Sequence, residues 1–463
     1  MARWLSAPVG MLAVALAVLA CGEAPSTAPP SATAGQRTNI VLVIVDTLRA
    51  DALGAYGHAE ATSPEIDALA RRGVRFADVV AQSSWTRPSI ASMLTALHPH
   101  SVGIYKEERQ ILDGRFTTLA EVLRAHGYAT FGATANPNIN AAFGFDQGFD
   151  HYRDSHVVWS WMTERPGELS SDDTPLPAAT DLLAAVEAWL ESGPAPPYYL
   201  QLNLMEVHEF RRDEVRARVA EELFAEHPQG DYLRAVRYVA RQIGKLVESL
   251  AARPEWARTI FVVTSDHGEG LDDHPAVPHS KGHGWTLYES NLRVPLVLAD
   301  TAGLLPAGRV VERPVRLLDL VPTLLDLVGV PAPDGLEGVS LTPLIRGADD
   351  LEDLPRHFVV TTEFMRADKI GVYSPEWIYI ENRDGHPGTN PIALQSVGGA
   401  QNGRETDAGD LHPDVRLELG RWLRLWEAGH PKVDPVLAGG ALSASELEQL
   451  RALGYLQGAG GDP

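Results

Sequence analysis

Asn39-Ile40-Val41-Leu42-Val43-Ile44-Val45 is an unbroken apolar, largely β-branched run, and it ends on an acid, Asp46. A strand with one wet face alternates apolar and polar residues. A run without alternation is buried on both faces, as in a parallel sheet covered by helices on either side. Two further runs share this design. Residues 198–204 are followed by Glu206 and His208, and residues 259–264 by Ser265-Asp266-His267-Gly268-Glu269. Between the runs lie segments of helical period: 62–72 closed by Gly73, 116–126 closed by Gly127, 181–190, 232–250 and 315–328. A shorter strand over 128–133 is followed by Asn136. This order predicts an α/β protein with a mixed, mostly parallel central sheet flanked by helices.

Such sheets bind ligands outside the carboxyl ends of their strands. Asp46, the Glu206/His208 pair and the Asp266/His267 pair all follow strands, so one sheet would bring them to one edge. An acid after a strand is commonly a loop residue or a helix cap. Three such endings on one edge point instead to a metal centre. Asp46 and Asp266 offer hard oxygens and His267 a nitrogen, a set suited to one divalent cation such as Ca, Mn, Mg or Zn.

The stretch from Ser84 to Pro99 adds a hydroxyl. Thr86 is expected to cap a short buried helix, with Pro88 just inside it, Ala91, Met93, Leu94 and Leu97 packing inward, and Pro99 stopping it. Thr86 is then either only a cap or a nucleophile facing an anion held at the helix start. Residues 271–284 form a His-rich loop with His274, His279, Lys281 and His283. Simple solvation explains His274 and His279 as well as function does, whereas His283 lies just before a further strand over 293–297. From about residue 354 the texture changes. Residues 357–363 and 369–381 are expected to form antiparallel strands of a smaller C-terminal layer, with helices over 415–428 and 443–453.

Residues 1–20 read as a secretory signal, with Arg3 before the apolar segment 9–20. Val18-Leu19-Ala20-Cys21 has the form of a bacterial lipobox, and Cys21 is the only cysteine in the chain. The expectation is a lipid-anchored protein of the bacterial cell envelope, at the outer membrane, surface or periplasm, held through acylated Cys21. Residues 21–38, rich in Pro, Ser, Thr and Ala, then form a tether. A domain follows over 39–350, and a smaller subdomain with a terminal helix over 351–463. Lys and Arg total 39 against 61 acids, a net charge of −22, which excludes the basic footprint of a nucleic-acid binder.

Segments 39–51, 86–99, 119–150, 262–269, 288–297 and 317–344 together resemble the sulfatases of the alkaline phosphatase superfamily. The resemblance implies an alkaline-phosphatase-like fold and a metal-dependent hydrolase of sulfate or phosphate esters. In that family a Cys/Ser-x-Pro-x-Arg motif supplies the nucleophile, after oxidation to formylglycine. Here Thr86 holds the nucleophile position, Pro88 matches, and Ile90 stands where the Arg would be. Threonine is not a substrate for that oxidation, so no formylglycine is expected. Threonine nucleophiles are known in phosphoryl-transfer members such as nucleotide pyrophosphatase/phosphodiesterases. The single Asp46 followed by Thr47, and the pair Asp266-His267, are similar to phosphonate monoester hydrolases.

The resemblance implies that Asp46, Asp266, His267 and Thr86 hold one metal. It places His208 and His283 at the transferring group or the leaving oxygen. Threonine favours phosphoryl over sulfuryl transfer. Two alternatives stay open at this level: a weakly active or non-catalytic relative that binds sulfated or phosphorylated glycans, and a transferase passing the group to an alcohol.

Overall fold

The computed structural model describes residues 37–106, 110–154, 177–218, 223–274, 277, 280–385, 390–398 and 408–437. The expected leader, Cys21 and the bulk of the tether, His279 and the terminal helix over 443–453 lie outside the described residues.

In chain order the strands are β1 (Asn39–Val45), β2 (Val74–Phe76), β3 (Val79–Val80), β4 (Ala129–Thr134), β5 (His151–Arg153), β6 (Tyr198–Leu204), β7 (Thr259–Thr264), β8 (Leu296–Asp300), β9 (Arg309–Val311) and β10 (Val315–Arg316). The principal helices are α1 (Pro64–Arg72), α2 (Thr86–Thr95), α3 (Pro99–Val102), α4 (Leu119–Ala125), α5 (Ala179–Glu191), α6 (Gly230–Ala251), α7 (Leu320–Val328) and α8 (Pro413–Gly429). An eight-stranded sheet runs β5-β4-β6-β1-β7-β8-β2-β9. β1 is parallel to both neighbours, pairing Val45 with Leu204 of β6 and Ile44 with Thr264 of β7. β8 alone is antiparallel to the strands beside it, β7 and β2.

The unbroken runs follow from this position. Even residues of β1 (Ile40, Leu42, Ile44) enter one core with α2, α4 and α7. Odd ones (Val41, Val43, Val45) enter the other with α1, α5 and α6. Each of these six side chains is essentially inaccessible, and each such burial is worth roughly 1.5–3 kcal/mol. β11 (Phe358–Thr362), β12 (Lys369–Tyr373), β13 (Trp377–Asn382) and β14 (Ile392–Ser396) form a separate antiparallel sheet, with α8 packed against β12 and β13. β14 had no counterpart among the sequence expectations.

Two local expectations are corrected. α2 does contain Thr86, but as its first residue. Trp85 occupies the cap, and the Thr86 hydroxyl instead meets His267 and Asn136. α2 also ends earlier than Pro99: Ala96 turns left-handed at φ 54° to close it, and Pro99 instead begins α3.

Candidate active site

The carboxyl ends of β4, β6, β1 and β7 stand side by side, and the site is assembled there. Asp46 follows β1 directly, and Asp266 and His267 follow β7 after Ser265. All three are fully buried. One oxygen of Asp46 and one of Asp266 lie within 4.8 Å of each other and of a His267 ring nitrogen.

The backbone fixes their aim. Asp266 Oδ1 accepts the N–H groups of His267 at 2.9 Å and Thr47 at 3.3 Å. Thr47 takes φ 56°, a conformation unfavourable for a β-branched residue. It is held by the Tyr232 hydroxyl, which donates to Thr47 O at 2.8 Å and accepts from Arg49 N–H at 2.9 Å.

Next to Gly268 O, 2.9 Å away, His267 Nδ1 carries the ring proton and donates it there, which leaves Nε2 with a bare lone pair. That nitrogen lies 3.4 Å from Asp266 Oδ2 and 4.0 Å from Asp46 Oδ1. Both of those carboxylate oxygens are buried without a hydrogen-bond partner. Burial, then the charge of Asp266, pushes the Asp46 carboxyl up to about 6. Burial likewise pushes Asp266 up to about 6. Burial and the neighbouring His283 pull His267 down to about 3, so the ring stays neutral. Two orphaned carboxylate oxygens and one neutral imidazole nitrogen turned on a common space form a donor set that fits a divalent cation.

Thr86 joins this centre from α2. Its Oγ is 3.3 Å from His267 Nε2 and 3.4 Å from Asn136 Nδ2. α2 is tied to the end of β7 by Ser89, whose hydroxyl donates to Asp266 O at 2.6 Å. Every residue of α2 is buried. Ile90 points into the hydrophobic core, so its position supplies no cation to the site.

Asn136, two residues after β4, was noted in the sequence but given no role there. Its Oδ1 accepts the N–H of Asn138 at 2.8 Å, which orients the amide. Its NH₂ then donates to Asp46 Oδ2 at 2.5 Å and faces Thr86. The signal was present: an Asn before Pro137 is a helix-cap arrangement, and a cap fixes which way the amide points.

His208 and His283 close the site. Their rings are 4.9 Å apart, and His283 is 4.7 Å from His267. Each has a carboxylate on Nδ1: Glu209 at 2.8 Å from His208, and Glu269 at 3.3 Å from His283. Burial pulls His208 down, but the charge and hydrogen bond of Glu209 prevail and push it up to about 9. Burial would raise Glu269, yet the hydrogen bond and charge of His283 hold it down to about 2. The loop carrying His283 lies close because Gly270 and Gly282 exchange backbone hydrogen bonds. A Cβ on Gly270 would stand 1.8 Å from Ser280 O.

Some expected companions are elsewhere. Glu206 turns away and accepts the N–H of Ala179 at 2.6 Å, at the start of α5. His274 packs against Tyr288, and Lys281 is an exposed partner of Asp272.

The sequence matches the Sulfatase family model over residues 38–330, well over half of the chain. This chain belongs to the sulfatase family. It is therefore an ester-hydrolysing enzyme of the alkaline phosphatase-like superfamily. An ulvan-active sulfatase of Formosa agariphila is 27% identical over 353 residues, covering 68% of this chain and 66% of that protein. Among solved structures, a putative sulfatase from Bacteroides thetaiotaomicron has a TM-score of 0.67 at 17% identity, covering 86% of this chain and 93% of that one. The phosphonate monoester hydrolase of Agrobacterium radiobacter has a TM-score of 0.65 at 21% identity, covering 85% and 96%. At these identities both likenesses are of the fold. Within this sulfatase-family fold, Asp46, Asp266 and His267 are the candidate metal ligands.

Proposed function

We propose that this sulfatase-family protein hydrolyses phosphate esters, mono- or diesters, through Thr86 in preference to sulfate esters. The observation that carries the proposal is the Thr86 hydroxyl lying 3.3 Å from His267 Nε2, inside the buried donor set. A divalent cation held by Asp46, Asp266 and His267 would lower the pKa of a hydroxyl at this place and offset the charge of the ester anion.

The chain's own groups do the rest. Asn136 donates to Asp46 and faces the Thr86 oxygen, fixing both. His208, cationic at neutral pH because of Glu209, holds the anion. His283, aligned by Glu269, is placed to hand a proton to the departing oxygen. Thr86 Oγ forms a bond to phosphorus while the bond to the leaving alcohol breaks. The Thr86 proton leaves to solvent as the alcohol takes one from His283. Water then cleaves the threonyl ester, its hydroxide going to phosphorus and its proton to Thr86, and the proton released to solvent in the first step returns to His283.

Threonine also decides between phosphate and sulfate. A formylglycine diol can expel sulfate by elimination through its second hydroxyl. Thr86 has no second hydroxyl and carries a methyl group instead. Its ester must be cleaved by attack at the central atom, a route that suits phosphate better. The phosphonate monoester hydrolase that shares this fold supports phosphoryl chemistry. The names of the sulfatase relatives support sulfate esters, and these are the competing substrates.

The test compares p-nitrophenyl phosphate, bis-p-nitrophenyl phosphate, a phenylphosphonate ester and p-nitrophenyl sulfate on wild type and Thr86→Ala. Phosphorus esters are expected to turn over faster, and Thr86→Ala to lose at least about 10²-fold. Faster sulfate turnover, or full activity in Thr86→Ala, would overturn the proposal. Peptide mass analysis is expected to find Thr86 unmodified.

A further inference from the structure

Beyond the site above, one other place among the described residues brings three metal-ligating atoms together. His58, Glu60 and His227 each offer one donor atom within 4.8 Å of the others. His58 follows Gly57, which turns left-handed at φ 99°. Glu60 comes two residues later, and His227 sits in the turn leading into α6. The two rings are 6.0 Å apart. Both histidines are half-buried and Glu60 is exposed. Both rings line a cavity of about 440 Å³ that also contains Asp51, Asp273 and Arg49. Arg49 is already paired with both of those carboxylates, and Arg293, which also lines the cavity, with Glu289, so each guanidinium there is compensated.

We propose that His58, Glu60 and His227 form a second cation site, which takes a divalent ion of the zinc class. The reading is independent of the substrate. Two imidazoles and one carboxylate match the borderline ions, whereas calcium and magnesium select oxygen ligands. Three protein ligands leave one position for water.

The surroundings of the rings bear on the affinity. His58 Nδ1 takes the Glu60 N–H at 3.2 Å and stands 3.4 Å from Glu60 O. A ring bound through Nε2 carries its proton on Nδ1, so it gives up the first contact and turns that proton to the carbonyl instead. His227 Nδ1 takes the Gln229 N–H at 3.1 Å. Binding through Nε2 gives up that half-buried hydrogen bond, so the affinity is set below that of a fully prearranged site.

The consequence is mechanical. The ion links the loop after β1 to the start of α6. Tyr232 of α6 supplies the hydroxyl that clamps Thr47 beside Asp46. The second ion thus braces the frame of the catalytic centre and does none of its chemistry.

The experiment uses the full chain, so that both sites are counted separately. Zinc bound per chain is measured by equilibrium dialysis and metal analysis for Asp266→Asn, and for Asp266→Asn combined with His227→Ala or with His58→Ala. Each added substitution is expected to remove one equivalent, or to weaken it by at least about tenfold, comparable to what losing a supporting group costs. Both histidines lie on loops, and circular dichroism confirms folding. Should one variant fail to fold, the other carries the comparison. Cobalt soaked into Asp266→Asn is expected to give a visible spectrum that the His227→Ala combination lacks. The proposal is overturned if the combined variants keep the same zinc content as Asp266→Asn. It is equally overturned if calcium or magnesium competes with zinc on equal terms.

Discussion

Replacing Glu209 with Gln separates charge from shape at His208. In the native protein burial pulls the imidazole down, and the Glu209 carboxylate at 2.8 Å overcomes it, leaving His208 at about 9. Gln keeps the size and a hydrogen-bonding group but removes the charge, so burial prevails and His208 falls to roughly its ordinary 6.5 or below. The charged form then loses roughly 3 kcal/mol, at about 1.4 kcal/mol per pH unit. An activity that needs imidazolium disappears as pH rises through the group's pKa. In wild type the alkaline limb of kcat/KM should therefore fall near pH 9. In Glu209→Gln it should fall near ~6.5. At about pH 8 the variant His208 is roughly 3% protonated, so kcat/KM drops about 30-fold, and most of it returns near pH 6. The assay is kcat/KM for the preferred p-nitrophenyl ester across pH 5–10. An alkaline limb left at pH 9, or an equal loss at every pH, refutes the role of Glu209 as the source of the charge. The same pairing makes a stability prediction. Because the folded pKa is raised, its contribution is fully present below the unfolded value of about 6.5 and fades as pH climbs through about 9.

Asn136→Ala removes a donor from Asp46 and Thr86, and should lower kcat by about 10²-fold with little change in KM; an unchanged kcat would assign the amide to capping alone. Tyr232→Phe leaves Thr47 O without its donor and should cost about 1–3 kcal/mol in urea unfolding, with a drop in activity as Asp46 loosens. A full-strength midpoint would show that the left-handed Thr47 needs no clamp. Cys21→Ala should release the protein from membranes or leave a longer precursor, seen by fractionation and intact mass. Unaltered membrane retention would remove the lipid anchor from the account.

The two central strands were legible because burial on both faces leaves no room for alternation, and the acids at their ends were conspicuous against it. Asp46, Asp266 and His267 could be chosen for that reason. The same rule misled at Glu206, where the carboxylate serves a helix start, since a strand ending does not show which way its next side chain turns. The role expected of Thr86 came from family likeness rather than geometry, for the capping geometry first assigned to it belongs to Trp85. Ser89 and the Glu269–His283 pair were hidden for a different reason. A polar residue inside a helix and two residues 14 apart in a loop acquire meaning only when separate elements meet. Glu209 was adjacent in sequence to a chosen histidine, and a charge beside a histidine was a signal that went unused.

Because the Thr86 hydroxyl caps nothing, position 86 has no duty in holding α2 together. The helix is anchored by Ser89 and by the core around Ile90, Met93 and Leu94. If Thr86 is the nucleophile as proposed, the attacking atom is an exchangeable part in a fixed socket. Serine or cysteine can be installed there at a small cost in stability, leaving Asp46, Asp266 and His267 where they are. On that reading, a lineage built on this fold could exchange its nucleophile by substitution at one position, without first repairing the protein around it.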